Sequence, residues 1–307
     1  MNENYRKQVA LLVRILPLVY RIKDFAVHGG TAINLFVLNM PRYSVDIDIT
    51  YLPLEDRKES LEHINGHLST LKGLIEKTIP GIRVIHKTDV LKLLCKQGSV
   101  TVKIEVNGIK RGIIGETKDL ELCTKAQEEF QTSFKIRAVP EKLLYGGKVA
   151  AALSRQHPRD LFDCRHMKLD FGEIKKDFLY CLLGSDKPLV ESLNPNPVDQ
   201  QEALENQFEG MADETFKYED YKQAREELIR KVNDALDRED RDFLLSFEKG
   251  EPDWSKCCAG DLSRFPSVKW KLKNITALKQ GNPDKFRAGV EKLESFLFPD
   301  GKDRQDR

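Results

Sequence analysis

Two aspartates and a later glutamate are the residues of this 307-residue chain best suited to chemistry. Asp46 and Asp48 lie two residues apart in the run VDIDITY. A strand alternates its side chains, so both carboxylates point to one face while Val45, Ile47 and Ile49 point to the other. Carboxylates this close disfavour joint ionisation. A divalent cation offsets that cost, and Mg²⁺, or Mn²⁺ in its place, takes carboxylate oxygens together with substrate phosphates. In VTVKIEVNG, Val102, Ile104 and Val106 face one way and Lys103, Glu105 and Asn107 the other. If this strand pairs beside the first, Glu105 joins Asp46 and Asp48 as a catalytic, metal-binding set. The usual two-metal arrangement places one ion on a triphosphate and the other on an attacking hydroxyl. Taken alone, either strand also fits a solvated face with ordinary charges.

Upstream, Gly29, Gly30 and Thr31 fall between a strand pattern and a helix pattern. Glycine lets the backbone approach a ligand closely, and a helix N-terminus offers free N–H groups to a phosphate. The Thr31 hydroxyl either caps that helix or touches phosphate. A phosphate cradle beside a carboxylate pair is what nucleotidyl transfer needs. Further along, KVAAALSRQHPRDLFD carries Lys148 beside small alanines, Arg159 after a proline, and Asp160 and Asp163 three apart on one helix face. A cationic tip there can hold nucleotide phosphates. A salt bridge from Arg155 or Arg159 to Asp163 is the structural counterpart of the same pattern.

The elements that must position these groups follow from periodicity. Residues 1–25 read as an amphipathic helix, 24–27 and 45–51 as strands, 31–40 and 55–79 as helices, and 82–86, 90–96 and 99–107 as short strands. Pro140 and Pro158 open two further helices. After residue 170 the chain reads mainly as helix, with NPNPVDQQ at 194–201 a loop, long helical runs over 202–247, and a short helix around Trp270. The fold expected is α/β, in the α+β sense. A mixed-sheet unit spans 1–170, and a mainly helical unit spans 171–307.

Composition removes several classes. Charged residues make up 32% and apolar ones 40%, enough for a core, so a disordered chain is excluded. The formal charge of +1 is polarised: 1–170 has a surplus of seven basic residues, and 191–253 an acidic surplus of eleven. A polyanion would dock on the basic half and near Arg264, Lys269, Lys271 and Lys273, while the acidic helical region faces solvent or a basic partner. The six cysteines show no metal spacing and fit thiols of a reducing cytosol. No apolar run reaches membrane length and no signal peptide is evident, so a cytoplasmic protein without membrane contact is expected. Gly146-Gly147-Lys148 lacks the Ser/Thr and upstream glycine of a P-loop. No hydrolase elbow is present. His157 and His166 have no acid–base or ligand spacing, and His28, placed where it could be a base, reads instead as the end of a strand.

The order Gly29-Gly30-Thr31-Ala32, Arg42-Tyr43-Ser44-Val45-Asp46-Ile47-Asp48, Lys103-Ile104-Glu105 and the Lys148–Asp163 segment resembles the AbiEii-type toxins of type IV toxin–antitoxin (abortive infection) systems. These are a branch of the DNA polymerase β-like nucleotidyltransferase superfamily. The resemblance covers the first half well and FPSVKWKLKNI less specifically. It implies a nucleotidyltransferase fold and transfer of NMP from an NTP, with Mg²⁺, to a hydroxyl such as a tRNA 3′ end or a protein. Gly29, Gly30 and Thr31 would hold the triphosphate, and Lys148, Arg159 and either Asp160 or Asp163 would complete the nucleotide site. An antitoxin from a neighbouring gene is implied, with or without direct contact. Transfer to an antibiotic hydroxyl, or a non-catalytic nucleotide-binding module, are the alternative readings.

Overall fold

The computed structural model describes residues 1–299, so the last part of the expected 171–307 unit lies outside the described residues. Helix α1 (Glu3–Val19) opens on Asn2, whose side chain accepts from the Asn4 N–H at 2.8 Å. Its Val9, Leu12, Ile15, Leu16 and Val19 are buried against the sheet and against α3 (Arg57–Thr78). In α3, Ile64, Leu68, Leu71 and Ile75 form one buried stripe at helical spacing.

The sheet has seven strands among the described residues: β1 (Phe25–His28), β2 (Asp46–Tyr51), β3 (Arg83–Lys87), β4 (Lys92–Gln97), β5 (Val100–Val106), β6 (Lys118–Glu121) and β7 (Lys135–Ala138). Their order is β3-β4-β5-β2-β1-β7-β6. β2 pairs antiparallel with β1 and parallel with β5, so the sheet is mixed. The period-two pattern decides which face is wet. Ile47, Ile49, Val102, Ile104 and Val106 are buried, while Asp46, Asp48, Lys103 and Glu105 are half-buried on the other face.

Between β1 and β2 lies a short helix, α2 (Gly29–Ala32), continued by a π-helical turn over Ile33–Val37. Past a further helix, α4 (Thr124–Phe130), and β7, helix α5 (Glu141–Arg155) starts behind Pro140 and stops at Gln156, which turns the chain with φ +51°. Then α6 (Pro158–Arg165) begins with proline in its first turn and the His157 ring accepting from the Arg159 N–H. The reversal returns Asp160 to Lys148. Gly146 lies mid-helix, where a Cβ would come within 2.6 Å of the backbone of α7 (Phe171–Leu183), so it serves close helix packing.

Beyond α7 the described chain is helical: α8 (Leu189–Leu193), α9 (Gln201–Gln207), α10 (Tyr218–Asp234), α11 (Arg238–Glu248), α12 (Pro266–Gly281) and α13 (Pro283–Leu297). These helices brace the α5–α6 corner. The Tyr221 hydroxyl donates to the Gln156 carbonyl, and the Gln156 amide donates to the Asn196 carbonyl. The 194–201 segment is thus a tethered loop. Around Trp270 the helix runs 16 residues, longer than expected. Lys271 departs from its expected place on a polyanion surface. It is buried, and its ammonium donates to the carbonyls of Ser185 and Lys187. Lys269, Trp270 and Lys273 are exposed.

Candidate active site

The sheet register assembles the carboxylates. Asp46 is opposite Lys103 and Asp48 is opposite Glu105 on the parallel strand β5. The pairing on which Glu105 depended is therefore present. Glu105 carries company that its strand pattern only hinted at: the Lys103 and Lys92 ammonium groups each lie 3.2 Å from its Oε2. Lys103 is also 3.9 Å from Asp46 Oδ2. Burial opposes charge on Glu105, but the two lysines more than offset it and hold the carboxyl below its usual range. Burial pushes the Asp46 carboxyl the other way; Lys103 opposes that rise, and neighbouring Asp48 adds to it.

The turn over these groups is tight. Gly29 adopts φ +71°, and a Cβ there would sit 2.7 Å from Asp48 Oδ2. Only glycine takes this conformation freely while leaving the carboxylate its room. A Cβ on Gly30 would lie 2.9 Å from Arg42 Nη2 and 3.8 Å from Lys148 Nζ, so the Lys148 tip reaches the underside of the Gly-Gly turn. Thr31 does not cap its helix. Its hydroxyl is buried, donates to the Asp46 carbonyl and shares a hydrogen bond with the Ser44 hydroxyl, because β2 begins directly beneath it. The side chain faces the strand and fixes where Asp46 starts.

Lys148 is held by two carboxylates, Asp160 Oδ1 at 3.2 Å and Asp163 Oδ2 at 2.8 Å. All three side chains are at least nine-tenths buried. Burial alone would lower the lysine's affinity for its proton; the two aspartates reverse that and keep it an ammonium. Asp163 also takes a two-point contact from Arg42 and one hydrogen bond from Asn34. Asp160 takes a two-point contact from Arg155. The expected brace exists with different partners: Arg155 holds Asp160, and the guanidinium on Asp163 is Arg42. Arg159 is half-buried and makes no ion pair among the described residues. Burial and the like charge of Arg42 weaken its hold on its proton, while Asp46 favours its charge. His28 ends β1 and shares a hydrogen bond with Thr50, as a strand-end residue would.

Two carboxylates that could hold a divalent cation stand side by side on β2. No hydrogen bond or ion pair with a described residue holds the Asp48 carboxylate, Asp46 is beside it on the same strand face, and Gly29 brings no Cβ against it. That donor chemistry fits Mg²⁺ or Mn²⁺.

The family model for the AbiEii nucleotidyl transferase toxins of type IV toxin–antitoxin systems matches residues 10–274. The chain belongs to the AbiEii family. It is a nucleotidyltransferase. The match takes in every site residue named above. Among solved structures, the AbiEii chain is similar to MenT4, a nucleotidyltransferase toxin from Mycobacterium tuberculosis H37Rv. The TM-score is 0.58 over 90% of this chain and 95% of that one, at 15% identity, which is a likeness of fold. No curated protein matches. No helix of the described residues is long and apolar enough to cross a membrane.

Asn34 and Lys92 are groups of the AbiEii site that sequence reasoning passed over, and Arg42 and Lys103 were named without a role. Arg42 stood in the quoted motif without a role, since its partner is 121 residues away. Lys103 had a readable signal, because a period-two strand puts it on the same face as Glu105.

Proposed function

We propose that this AbiEii protein transfers NMP from an NTP to a hydroxyl of an RNA acceptor, in a reaction that depends on Mg²⁺ or Mn²⁺. The observation that carries the reading is the placement of Lys148 Nζ under the Gly-Gly turn, on the side where Asp46 and Asp48 share a strand face. An ammonium has three donors. Two are taken by Asp160 and Asp163, and the third is available to a phosphate oxygen beside Gly30.

The roles then divide by chemistry. Gly29 and Gly30 let the triphosphate approach, and Lys148 and Arg159 offset its charge. Asp160 and Asp163 aim Lys148, and Thr31 sets the start of β2. Asp46 and Asp48 would hold the divalent cation, which supplies charge stabilisation at the phosphates and an easier deprotonation of the hydroxyl. The acceptor oxygen forms its bond to the α-phosphorus as the bond to pyrophosphate breaks, and the hydroxyl proton leaves to a carboxylate of the β2–β5 face. Residues 1–170 would carry this chemistry and 171–307 brace it. A cytoplasmic setting and an antitoxin from a neighbouring gene accompany the family reading.

An RNA acceptor is supported by the basic surplus of 1–170 and by the exposed Arg264, Lys269, Trp270 and Lys273. Cations interleaved with an aromatic ring suit a phosphate chain with stacking bases. The test is incubation with each labelled NTP, Mg²⁺ and total RNA or lysate. Label on RNA is expected. Label on a protein or a small hydroxyl compound would move the acceptor class, and folded protein that labels nothing would remove the transferase reading.

A further inference from the structure

We propose that Lys103 is a built-in counter-ion that limits the β2–β5 face to one divalent cation, held by Asp46 and Asp48. This rests on the metal-dependent transfer proposed above. Three adjacent strands place five charged side chains on one face. Lys103 is the register partner of Asp46, Glu105 that of Asp48, and Lys92 that of Glu105 on the far side. The Lys103 ammonium stands between Asp46 and Glu105, 3.9 Å from one carboxylate and 3.2 Å from the other. Those are the two carboxylates that a second cation would have to share on this face.

Lys92, 3.2 Å from the same Glu105 oxygen, makes that carboxylate the anchor of two ammonium groups. Three carboxylates against two ammonium groups leave one net negative charge here. A second divalent cation would bind carboxylate oxygen at about 2.0–2.1 Å and meet the Lys103 charge at contact range. Asp48, by contrast, pairs with no ammonium among the described residues. Glu105 is accordingly a positioning residue that holds Lys103 in place.

The stoichiometry of Mn²⁺ tests this, read by electron paramagnetic resonance on the full chain saturated with a non-hydrolysable NTP analogue, with only the Mn²⁺ held by unbound analogue subtracted. Wild type is expected to bind one Mn²⁺ per chain, Lys103→Arg one, and Lys103→Met two. Circular dichroism confirms each fold, and Lys103→Gln replaces the methionine variant if that one fails to fold. Two ions in wild type, or one in the uncharged variants, overturn the proposal while leaving the transferase reading intact. No Mn²⁺ in wild type overturns both, and labelling with NTP then shows whether transfer survives without it.

Discussion

The Arg42 guanidinium meets the Asp163 carboxylate at two points in the interior, Nε to Oδ1 at 2.7 Å and Nη2 to Oδ2 at 2.6 Å. This contact ties the segment before β2 to α6, so it joins the carboxylate strand to the helix that aims Lys148. Removing one partner of a buried pair strands the other charge and costs about 3–5 kcal/mol. Arg42→Ala should therefore lower stability by about 3 kcal/mol, the lower end, because Lys148 still faces Asp163. Urea unfolding measures this. A loss under about 1 kcal/mol, ordinary for a single substitution, would show that the pair does not hold the two elements together.

Gly29→Ala separates strain from catalysis. The left-handed conformation costs a residue with a Cβ about 1–2 kcal/mol. The new methyl would also stand 2.7 Å from Asp48 Oδ2 and push the carboxylate aside. A displacement near 1 Å at reacting groups costs roughly 100-fold in rate. The expected result is a modest drop in thermal stability with a roughly 100-fold fall in transfer. Transfer close to wild type in a folded Gly29→Ala would mean that Asp48 takes no part.

Much of this site was legible because its key strands obey a short period. VDIDITY and VTVKIEV each announce a face, and the two faces coincide once β2 and β5 pair. Helices α3, α5 and α6 announced themselves by apolar spacing and prolines. Strands β6 (KDLE) and β7 (KIRA) did not, being four residues long and at least half charged, with tertiary pairing rather than pattern making them strands. Helix α13 was missed although Val290, Leu293 and Leu297 recur at helical spacing. The partner exchange among the buried ions was illegible for another reason. Arg42, Arg155 and Arg159 are equivalent as cations, and only the α5–α6 corner decides which reaches Asp160, which reaches Asp163 and which stays unpaired.

Asp48→Asn distinguishes a working carboxylate from a structural one. Among the described residues the Asp48 side chain makes no ion pair or hydrogen bond, and Asp46 beside it is a like charge. The amide should leave stability unchanged or slightly raised. A catalytic cation supplies several kcal/mol of transition-state stabilisation, so transfer should fall roughly 1,000-fold or more. Thermal melts and labelled-NTP transfer on the same sample check both. Loss of fold in Asp48→Asn would assign the residue a structural role.

The buried aspartates set an acid limit on stability. Burial opposes their charge, but Arg42 and Lys148 on Asp163, and Lys148 and Arg155 on Asp160, more than offset it and hold both carboxyls below the usual range. The unfolded chain takes up these protons near pH ~3.9, before the folded one does. Stability is thus fully present above that value and lost as pH falls through the folded values, at about 1.4 kcal/mol per pH unit for each group. Asp46, pushed up by burial, has the opposite sign. Its contribution is present below the unfolded value and lost as pH rises through its folded one, so the two effects occupy different windows. Asp163→Asn should be less stable at neutral pH, because Arg42 loses its partner, yet show a flatter acid limb by one proton. Urea unfolding between about pH 2 and pH 4, below the unfolded value, reads that slope directly. An unchanged slope would mean that Asp163 does not hold its charge against acid, and the ion network would then not be what fixes Lys148.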